Sequence, residues 1–185
     1  MPDKKIKRPS KIEYYMNIAK EVAARSNCRM VNIGAIIVKE DQIIATGYVG
    51  APRKTKDCLE YGECLRRAMG IPSGQRYELC RSVHAEQNAI INAARAGVSV
   101  LDGTLYIYGI RKYNVDIPQL IDAVPCFICK KMVINSGLKE VVCFMKDGLI
   151  KTFRISDWVY EWKKKDMTQD VIKYETNYKE KQKIK

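Results

Sequence analysis

The sequence predicts an α/β protein in which a central mixed β-sheet is covered by helices on both faces, a three-layer α/β/α sandwich. Two apolar runs rich in β-branched residues, 33–38 and 42–48, flank three charged residues and predict a hairpin of buried strands. Beyond them, strand-like and helix-like patterns alternate, as expected for a sheet covered by helices. At 185 residues the chain can bury a substantial core. We expect one domain at 11–165, between a basic tail at 1–10 and a Lys-rich tail at 166–185.

The first predicted element is a helix that starts at Ser10, where the sequence Ser-Lys-Ile-Glu forms a capping box. Apolar residues then recur at helical spacing and give one face that must pack on the sheet. These residues are Ile12, Tyr15, Met16, Ala19, Val22 and Ala23. After the hairpin, residues 47–52 read Gly-Tyr-Val-Gly-Ala-Pro, a turn in which the backbone can approach a ligand closely.

Residues 53–81 have weak periodicity and include Cys58, Cys64 and Cys80. An irregular segment of this length needs something other than a core to hold it. A structural zinc ion would do so, and Cys28 at the end of the first helix would complete a set of four thiolates. The alternative interpretation is a group of shielded thiols without a metal.

The second half of the chain continues the alternation. In order, it predicts a helix from His84 to about Gly97, a strand at 104–110 and a polar excursion at 111–124. A helix that opens at the Pro125 motif and runs to Asn135 follows, then strands at 140–145 and 149–155 and a short last helix. Gly137 suits the left-handed position after a helix. Ser156 is expected to cap the last helix, which carries Trp158 and Trp162, and Cys143 is expected in the core.

Two short motifs carry the chemistry: His84-Ala85-Glu86, and Pro-Cys-Phe-Ile-Cys at 125–129. One imidazole and the thiolates of Cys126 and Cys129 supply three corners of a zinc tetrahedron, and an open fourth corner distinguishes a catalytic zinc from a structural one. Both motifs begin predicted helices, whose partial positive charge favours the thiolate forms. His84 is the only histidine in the chain, so any histidine-ligated metal chemistry must use it.

Glu86 is the candidate proton carrier at this site. Zinc lowers the pKa of bound water to about 7, and a nearby carboxylate can take a proton from that water and pass it to a departing amine. Alone, the cysteine pair could be a redox pair or half of a structural zinc site. The two motifs together, each at a helix start after strand-like sequence, favour a catalytic zinc, with iron as the other metal that this ligand set could hold.

The formal charge of +12 is concentrated in the tails. Residues 1–11 carry five basic and one acidic side chain, and residues 163–185 carry eight basic and four acidic ones. Such tails are most simply solvated ends, and a nucleic-acid partner is the less favoured interpretation. No apolar run suits a transmembrane helix or a signal peptide, so we expect a cytoplasmic protein without a membrane partner. In that compartment, cysteines are expected to be metal ligands or buried thiols more often than disulfides.

The motifs resemble those of the cytidine and deoxycytidylate deaminase superfamily, and are most similar to the deoxycytidylate (dCMP) deaminases. The resemblance covers roughly residues 10–146 and includes Arg-Ser-x-Cys at 25–28, the run 33–38 and Gly-Tyr-x-Gly-x-Pro at 47–52. It implies a cytidine-deaminase-like fold and hydrolysis of dCMP to dUMP and ammonia in pyrimidine nucleotide metabolism. His84, Cys126 and Cys129 would hold the catalytic zinc, and Glu86 would carry the proton while hydroxide attacks C4 of the pyrimidine.

The resemblance has further implications for substrate, metal and assembly. The backbone at Ala85 would bond the pyrimidine edge, and Arg25 would meet the substrate phosphate. Bacterial relatives carry cysteines at the positions of Cys28, Cys58, Cys64 and Cys80, which favours the second, structural zinc. Family members are commonly homohexamers controlled by dCTP and dTTP, with Mg²⁺ accompanying the activator.

Two departures bear on the substrate. Relatives have an asparagine that contacts the sugar where this chain has Val49, which cannot hydrogen-bond a hydroxyl, and the excursion at 111–124 is longer than theirs. One alternative is therefore a deaminase of the same chemistry acting on another nucleotide or on a tRNA base, whose binding would depend on salt. A second is a non-catalytic zinc and nucleotide-binding regulator, against which Glu86 argues because such a site needs no proton carrier.

Overall fold

A computed structural model describes residues 8–113 and 115–165, so the Lys-rich tail at 166–185 and most of the N-terminal tail lie outside the described residues. The described chain contains five α-helices, six strands and one short 3₁₀ helix. They are α1 (Lys11–Ala24), β1 (Val31–Lys39), β2 (Gln42–Tyr48), α2 (Leu65–Ala68), the 3₁₀ helix (Tyr77–Leu79), α3 (Ala85–Arg95), β3 (Thr104–Arg111), β4 (Gln119–Leu120), α4 (Phe127–Asn135), β5 (Glu140–Phe144), β6 (Ile150–Arg154) and α5 (Ile155–Lys164).

The strands form one mixed sheet in the order β2-β1-β3-β5-β6, with the short β4 paired to the end of β3. The β1–β2 hairpin is antiparallel, as predicted, and β1 also pairs antiparallel with β3. Strand β3 runs parallel to β5, and β5 pairs antiparallel with β6. A parallel neighbour requires a crossover, and here that crossover contains α4.

Helix α1 covers one face of the sheet. Its capping box is present: Ser10 Oγ accepts from the Glu13 backbone N–H at 3.2 Å, and Ser10 N donates to the Glu13 carboxylate at 2.7 Å. The predicted apolar face packs on the sheet. Its buried members and their buried partners are Tyr15, Met16, Ala19, Ala23, Ile36, Val38, Tyr106, Tyr108 and Val142.

The opposite face carries α3, α4 and α5, which completes the predicted three layers. Alanines of α3 let that helix lie close against β1 and β2, and Val133 of α4 and Trp158 of α5 fill the remaining space. Cys143 is fully buried in this core, as predicted. No helix in the described part of the chain is both long and apolar enough to cross a membrane.

Most predicted elements are confirmed, and one helix cap is wrong. Gly137 has φ +75° just after α4, as predicted. Ser156, by contrast, lies inside α5, which begins at Ile155 directly after β6. The reason is packing: Ile155 and Trp158 are both buried, and the Ile155 N–H bonds the Lys139 carbonyl at 3.1 Å, so the helix starts one residue before the predicted cap.

Candidate active site

The two motifs meet because both helices that follow them lie on the same face of the sheet. His84 and Cys126 are the extended residues immediately before α3 and α4. The His84 N–H donates to Gln87 Oε1 at 3.0 Å, and the Gln87 amide nitrogen donates to the sulfur of Met132 in α4 at 3.3 Å. Gln87 therefore caps one helix and ties it to the other.

The Gly-Tyr-Val-Gly turn fixes the entry to α3. Gly50 and Val83 exchange two backbone hydrogen bonds of 3.1 and 2.8 Å, which hold the residue preceding His84 against the end of the hairpin. Asn88 of α3 also donates to the Tyr48 carbonyl at 2.8 Å. His84, the predicted metal ligand, is thus positioned by the sheet as well as by its own helix.

The predicted catalytic ligands come together. The Nδ1 atom of His84 lies 3.4 Å from Cys126 Sγ and 3.3 Å from Cys129 Sγ, and the three ligand atoms all lie within 4.8 Å of one another. Zn–N and Zn–S bonds of about 2.0–2.1 and 2.3 Å, at a tetrahedral angle, separate nitrogen from sulfur by about 3.5 Å. The donor set and its spacing therefore fit a zinc ion.

The thiols of Cys126 and Cys129 are hydrogen-bonded to each other, and this contact shifts their pKa values in opposite directions. A hydrogen bond from Cys129 and the neighbouring His84 lower the pKa of Cys126 to about 4, although burial acts in the opposite direction. The hydrogen bond to Cys126 raises the pKa of Cys129, and burial adds to that effect. Burial lowers the pKa of His84, but the hydrogen bond with Cys126 and the charge of Glu86 outweigh it, so that pKa is raised.

Glu86 lies in the first turn of α3 and is 5% exposed. Burial raises the pKa of its carboxyl group, which also hydrogen-bonds the Cys129 thiol. Glu86 thus stands beside the ligand group without being one of the three clustered ligands. A carboxyl group in this place can exchange a proton with a molecule held at the metal.

The four cysteines predicted for a second zinc are neighbours but do not gather to ligand distance. The thiol of Cys28 lies close enough to those of Cys58 and Cys80 to interact with them electrostatically, and the thiol of Cys58 interacts in the same way with that of Cys64. Among the described residues, only the His84 group has three ligand atoms within 4.8 Å of one another. All four thiols are free, and Cys28 and Cys58 are buried. The second zinc stays a prediction.

The predicted substrate-contacting residues differ in exposure. Arg25 is exposed at the end of α1, whereas Ala85 is fully buried as the first residue of α3. Val49 is also buried, and its carbonyl accepts a hydrogen bond from the Asn27 N–H at 3.3 Å. The Asn27 side chain is itself used by the turn, since its Oδ1 accepts from the Ala51 N–H at 3.1 Å.

Sequence reasoning missed two residues beside the ligand group. The Tyr77 ring meets the His84 imidazole edge-on, with centroids 4.9 Å apart and an interplanar angle of 86°. The guanidinium carbon of Arg66 lies 4.5 Å from the centre of the Tyr77 ring. Both residues belong to the irregular segment at 53–81, where no periodic pattern indicates which side chains face the site.

The fold and the His-Cys-Cys group together define a zinc-binding α/β/α protein. Residues 9–145 match the family described as the cytidine and deoxycytidylate deaminase zinc-binding region. The chain is 32% identical over 140 residues to the deoxycytidylate deaminase of Mycobacterium phage D29, covering 73% of this chain and 94% of the phage protein. The chain belongs to the cytidine and deoxycytidylate deaminase family.

Other relatives share the same region. The deoxycytidylate deaminase of Schizosaccharomyces pombe is 35% identical over 135 residues, which cover 73% of this chain and only 37% of the yeast protein's length. The crystal structure of a dCMP deaminase from cyanophage S-TIM5, in complex with dCMP and dUMP, superimposes with a TM-score of 0.51 at 28% identity, covering 73% of this chain and 81% of that one. The cytidine-deaminase-like fold is thereby confirmed.

Proposed function

We propose that this protein is a zinc-dependent hydrolase that deaminates dCMP to dUMP and ammonia in pyrimidine nucleotide metabolism. The observation that carries the proposal is the buried Glu86 carboxyl group beside a three-ligand His-Cys-Cys cluster. Relatives named deoxycytidylate deaminase, and the dCMP and dUMP bound to the cyanophage enzyme, support this substrate. A regulator without activity would have no use for a buried carboxyl group at this place.

His84, Cys126 and Cys129 would hold the zinc ion. When bound there, zinc supplies Lewis acidity that makes hydroxide available near neutral pH. Glu86 accepts a proton from the attacking water and delivers it to the departing amino group, because its carboxyl group lies within hydrogen-bonding distance of the ligand Cys129. Burial of Glu86 excludes bulk water from this proton exchange.

The substrate contacts are part of the proposal. The backbone at Ala85, at the N-terminus of α3 beside Glu86, is suited to bind the polar edge of the pyrimidine. The buried Val49 provides an apolar surface but no hydrogen bond to the sugar. Arg25 is the phosphate ligand that the resemblance implies, and its exposure leaves it accessible to a nucleotide.

We also propose a second, structural zinc held by Cys28, Cys58, Cys64 and Cys80. Burial raises the pKa of Cys28 and of Cys58, so a metal ion would be needed to hold them as thiolates. Two hydrogen bonds act in the direction that supports the proposal: the Met30 N–H donates to Cys28 Sγ at 3.4 Å, and Arg81 donates to Cys58. Replacing Cys80 by Ser should reduce the zinc content from two ions per chain to one, measured by elemental analysis. An unchanged zinc content in this variant would show that the second zinc site does not exist.

The remaining expectations concern organisation and setting. We propose a deaminase domain at 11–165 flanked by basic tails, a homo-oligomeric assembly, control by dCTP and dTTP with Mg²⁺, and a cytoplasmic location. The seven cysteines of the chain are free thiols, which suits a reducing compartment. Light scattering of the purified protein would measure the subunit number, and assays with each triphosphate would test the control.

Ammonia release tests the proposed reaction. Purified zinc-loaded protein is assayed against dCMP, CMP, dCTP, cytidine and an unmodified tRNA, with Glu86→Ala as the blank. Turnover of dCMP that vanishes in the blank is the expected result. Turnover of tRNA or of another nucleotide in place of dCMP would assign the same chemistry to another substrate. Tight nucleotide binding with no turnover would make the protein a regulator.

A further inference from the structure

Arg66 is held beside the catalytic ligands by a row of stacked side chains. Its guanidinium carbon lies 4.5 Å from the centre of the Tyr77 ring. The Tyr77 ring in turn contacts the His84 ring edge-on, with the two ring centroids 4.9 Å apart. Stacking on an aromatic ring fixes the plane of a guanidinium group. The charge is therefore placed one aromatic ring away from a metal ligand, near enough to act electrostatically on His84.

The hydrogen-bonding capacity of Arg66 is only partly used. Its Nη2 donates to the Pro72 carbonyl at 3.2 Å. Its Nε atom is buried and has no partner among residues 8–113 and 115–165. Buried N–H groups in native proteins nearly always have an acceptor, so the geometry indicates an acceptor that the described chain does not supply.

The chemistry of a guanidinium group narrows the class of acceptor. Its planar fork of N–H donors pairs best with phosphate or carboxylate oxygens, often through two bonds at once. The neighbouring Arg67 differs: it is exposed, and its Nη1 donates to the Ile71 carbonyl at 3.0 Å. Arg66 is therefore set apart from Arg67 by its stacking and its unused donor.

We propose that Arg66, in place of the Arg25 that the resemblance implies, is the specificity-determining residue that binds the 5′-phosphate of the nucleotide. Tyr77 is then a positioning residue that holds the guanidinium beside His84. This inference rests on the proposed nucleotide deaminase function and deepens it. A pyrimidine ring placed at the ligand group carries its phosphate at the far end of the molecule, and the Arg66 guanidinium is a fixed cation one aromatic ring away from His84. A nucleoside, which lacks the phosphate, offers the Arg66 guanidinium no anionic partner.

Binding of the product nucleotide tests this role independently of turnover. Calorimetric titrations of the zinc-loaded protein compare dUMP with deoxyuridine for the wild type and for Arg66→Gln, Arg66→Lys, Arg67→Gln and Arg25→Gln. Arg66→Gln should weaken dUMP binding about 10- to 100-fold and leave deoxyuridine binding unchanged. Arg66→Lys should recover part of the loss, because it keeps the charge but not the fork. Arg67→Gln should match the wild type.

A variant of Tyr77 tests the positioning role. Tyr77→Leu removes the ring that holds the guanidinium plane, and it should weaken dUMP more than deoxyuridine. The same variant should shift KM for dCMP more than kcat, because the proton transfer at Glu86 does not require the stack. An equal loss for dUMP and deoxyuridine in Tyr77→Leu would reduce Tyr77 to a support for His84 alone.

Other outcomes overturn the assignment of Arg66. Equal weakening of dUMP and deoxyuridine binding in Arg66→Gln would show that Arg66 has only a structural role. A loss of dUMP binding confined to Arg25→Gln would identify Arg25 as the phosphate ligand. Wild-type protein that binds dUMP no more tightly than deoxyuridine also overturns it. Ammonia release from dCMP is measured in the same preparation. If dUMP binding depends on Arg66 but dCMP is not deaminated, the proposed reaction fails and the phosphate assignment stands.

Discussion

The Nδ1 atom of His84 lies 3.3 Å from the Sγ atom of Cys129, although 45 positions separate the two residues in the chain. The contact joins the residue before α3 to the first turn of α4. A metal ion bound there would be shared by the two helices that cover this face of the sheet. Binding of zinc should therefore stabilise the packing of α3 against α4 as well as serve the proposed reaction.

Replacing Cys129 by Ala should abolish binding at the catalytic metal site. A zinc ion bound by two protein ligands is held much more weakly than one bound by three. The zinc content should therefore fall by one ion per chain, and the proposed dCMP deaminase activity should be lost. Cys143→Ala is the matched control, because that cysteine is equally buried but lies in β5 outside the ligand group. Elemental analysis of both variants checks the prediction, and equal zinc contents would contradict it.

Replacing Glu86 by Gln should separate proton transfer from metal binding. Glutamine has nearly the same shape but carries no titratable proton, so the protein should fold and keep its zinc. Activity should fall about 10²- to 10⁴-fold, the usual contribution of a general acid–base group. Glu21→Gln, on the exposed side of α1, is the control and should retain activity. Wild-type rates in Glu86→Gln would refute the assigned role.

The order and type of the larger elements could be predicted because the signals are local. The capping box at Ser10, the paired apolar runs of the hairpin and the two helix-opening motifs each lie within a few residues of the sequence. The ligand group could also be predicted, since only one histidine and one Cys-x-x-Cys pair are present. The small number of residues able to bind a metal ion through nitrogen and sulfur limited the candidate ligands more strongly than the periodicity of the sequence did.

The parts that could not be predicted depend on contacts between distant segments. The Arg66–Tyr77–His84 row is formed by an irregular segment that lacks periodicity, so no pattern placed those side chains at the site. The start of α5 depends on the burial of Ile155 and on its bond to Lys139 from a neighbouring loop. Serine has a high preference for the N-cap position, but at Ser156 this packing overrides that preference.

Replacing Gly47 by Ala should destabilise the protein and disturb the site. A Cβ atom at this position would lie 2.2 Å from the backbone nitrogen of Ala89 and 2.4 Å from the backbone oxygen of Ala85, far closer than side chains approach in real structures. Helix α3 would have to move away from β2, and Glu86 would move with it. We expect a loss near the upper end of about 1–3 kcal/mol, with reduced activity.

Gly109→Ala in β3 is the matched control for that change. The atoms nearest to a Cβ there belong to side chains and not to the backbone: two of Ile121 at 3.0 and 3.1 Å, and Cγ1 of Ile33 at 3.4 Å. The Ile121 side chain can shift. The loss of stability should be near the lower end of the same range. Urea unfolding of the two variants measures the difference, and similar midpoints would show that α3 is not tightly seated on Gly47.

The carboxylate of Asp41, in the β1–β2 hairpin turn, should make the free energy of unfolding depend on pH. Glu40 and Asp41 both have positive φ, as a two-residue hairpin turn requires, yet neither is glycine. The turn is held from α1: Lys11 pairs with the Asp41 carboxylate, and the Tyr15 hydroxyl donates to it at 2.6 Å. The hydrogen bond from Lys11, followed by that from Tyr15, lowers the pKa of Asp41 below its ordinary value of 3.8, while the carboxylate raises the pKa of Tyr15 to about 12.

Because the pKa of Asp41 is lower in the folded protein, its stabilising effect is present above pH 3.8 and is lost as pH falls through the folded value. Asp41→Asn should therefore lower the free energy of unfolding at pH 7, and the difference from the wild type should shrink in more acidic solution. Asp102→Asn is the matched control, since Asp102 also has positive φ, at 61°, and asparagine suits that conformation equally. Urea unfolding of the three proteins between pH 3 and pH 7 measures the effect. A difference for Asp41→Asn that stays constant with pH would show that the carboxylate charge does not hold the turn.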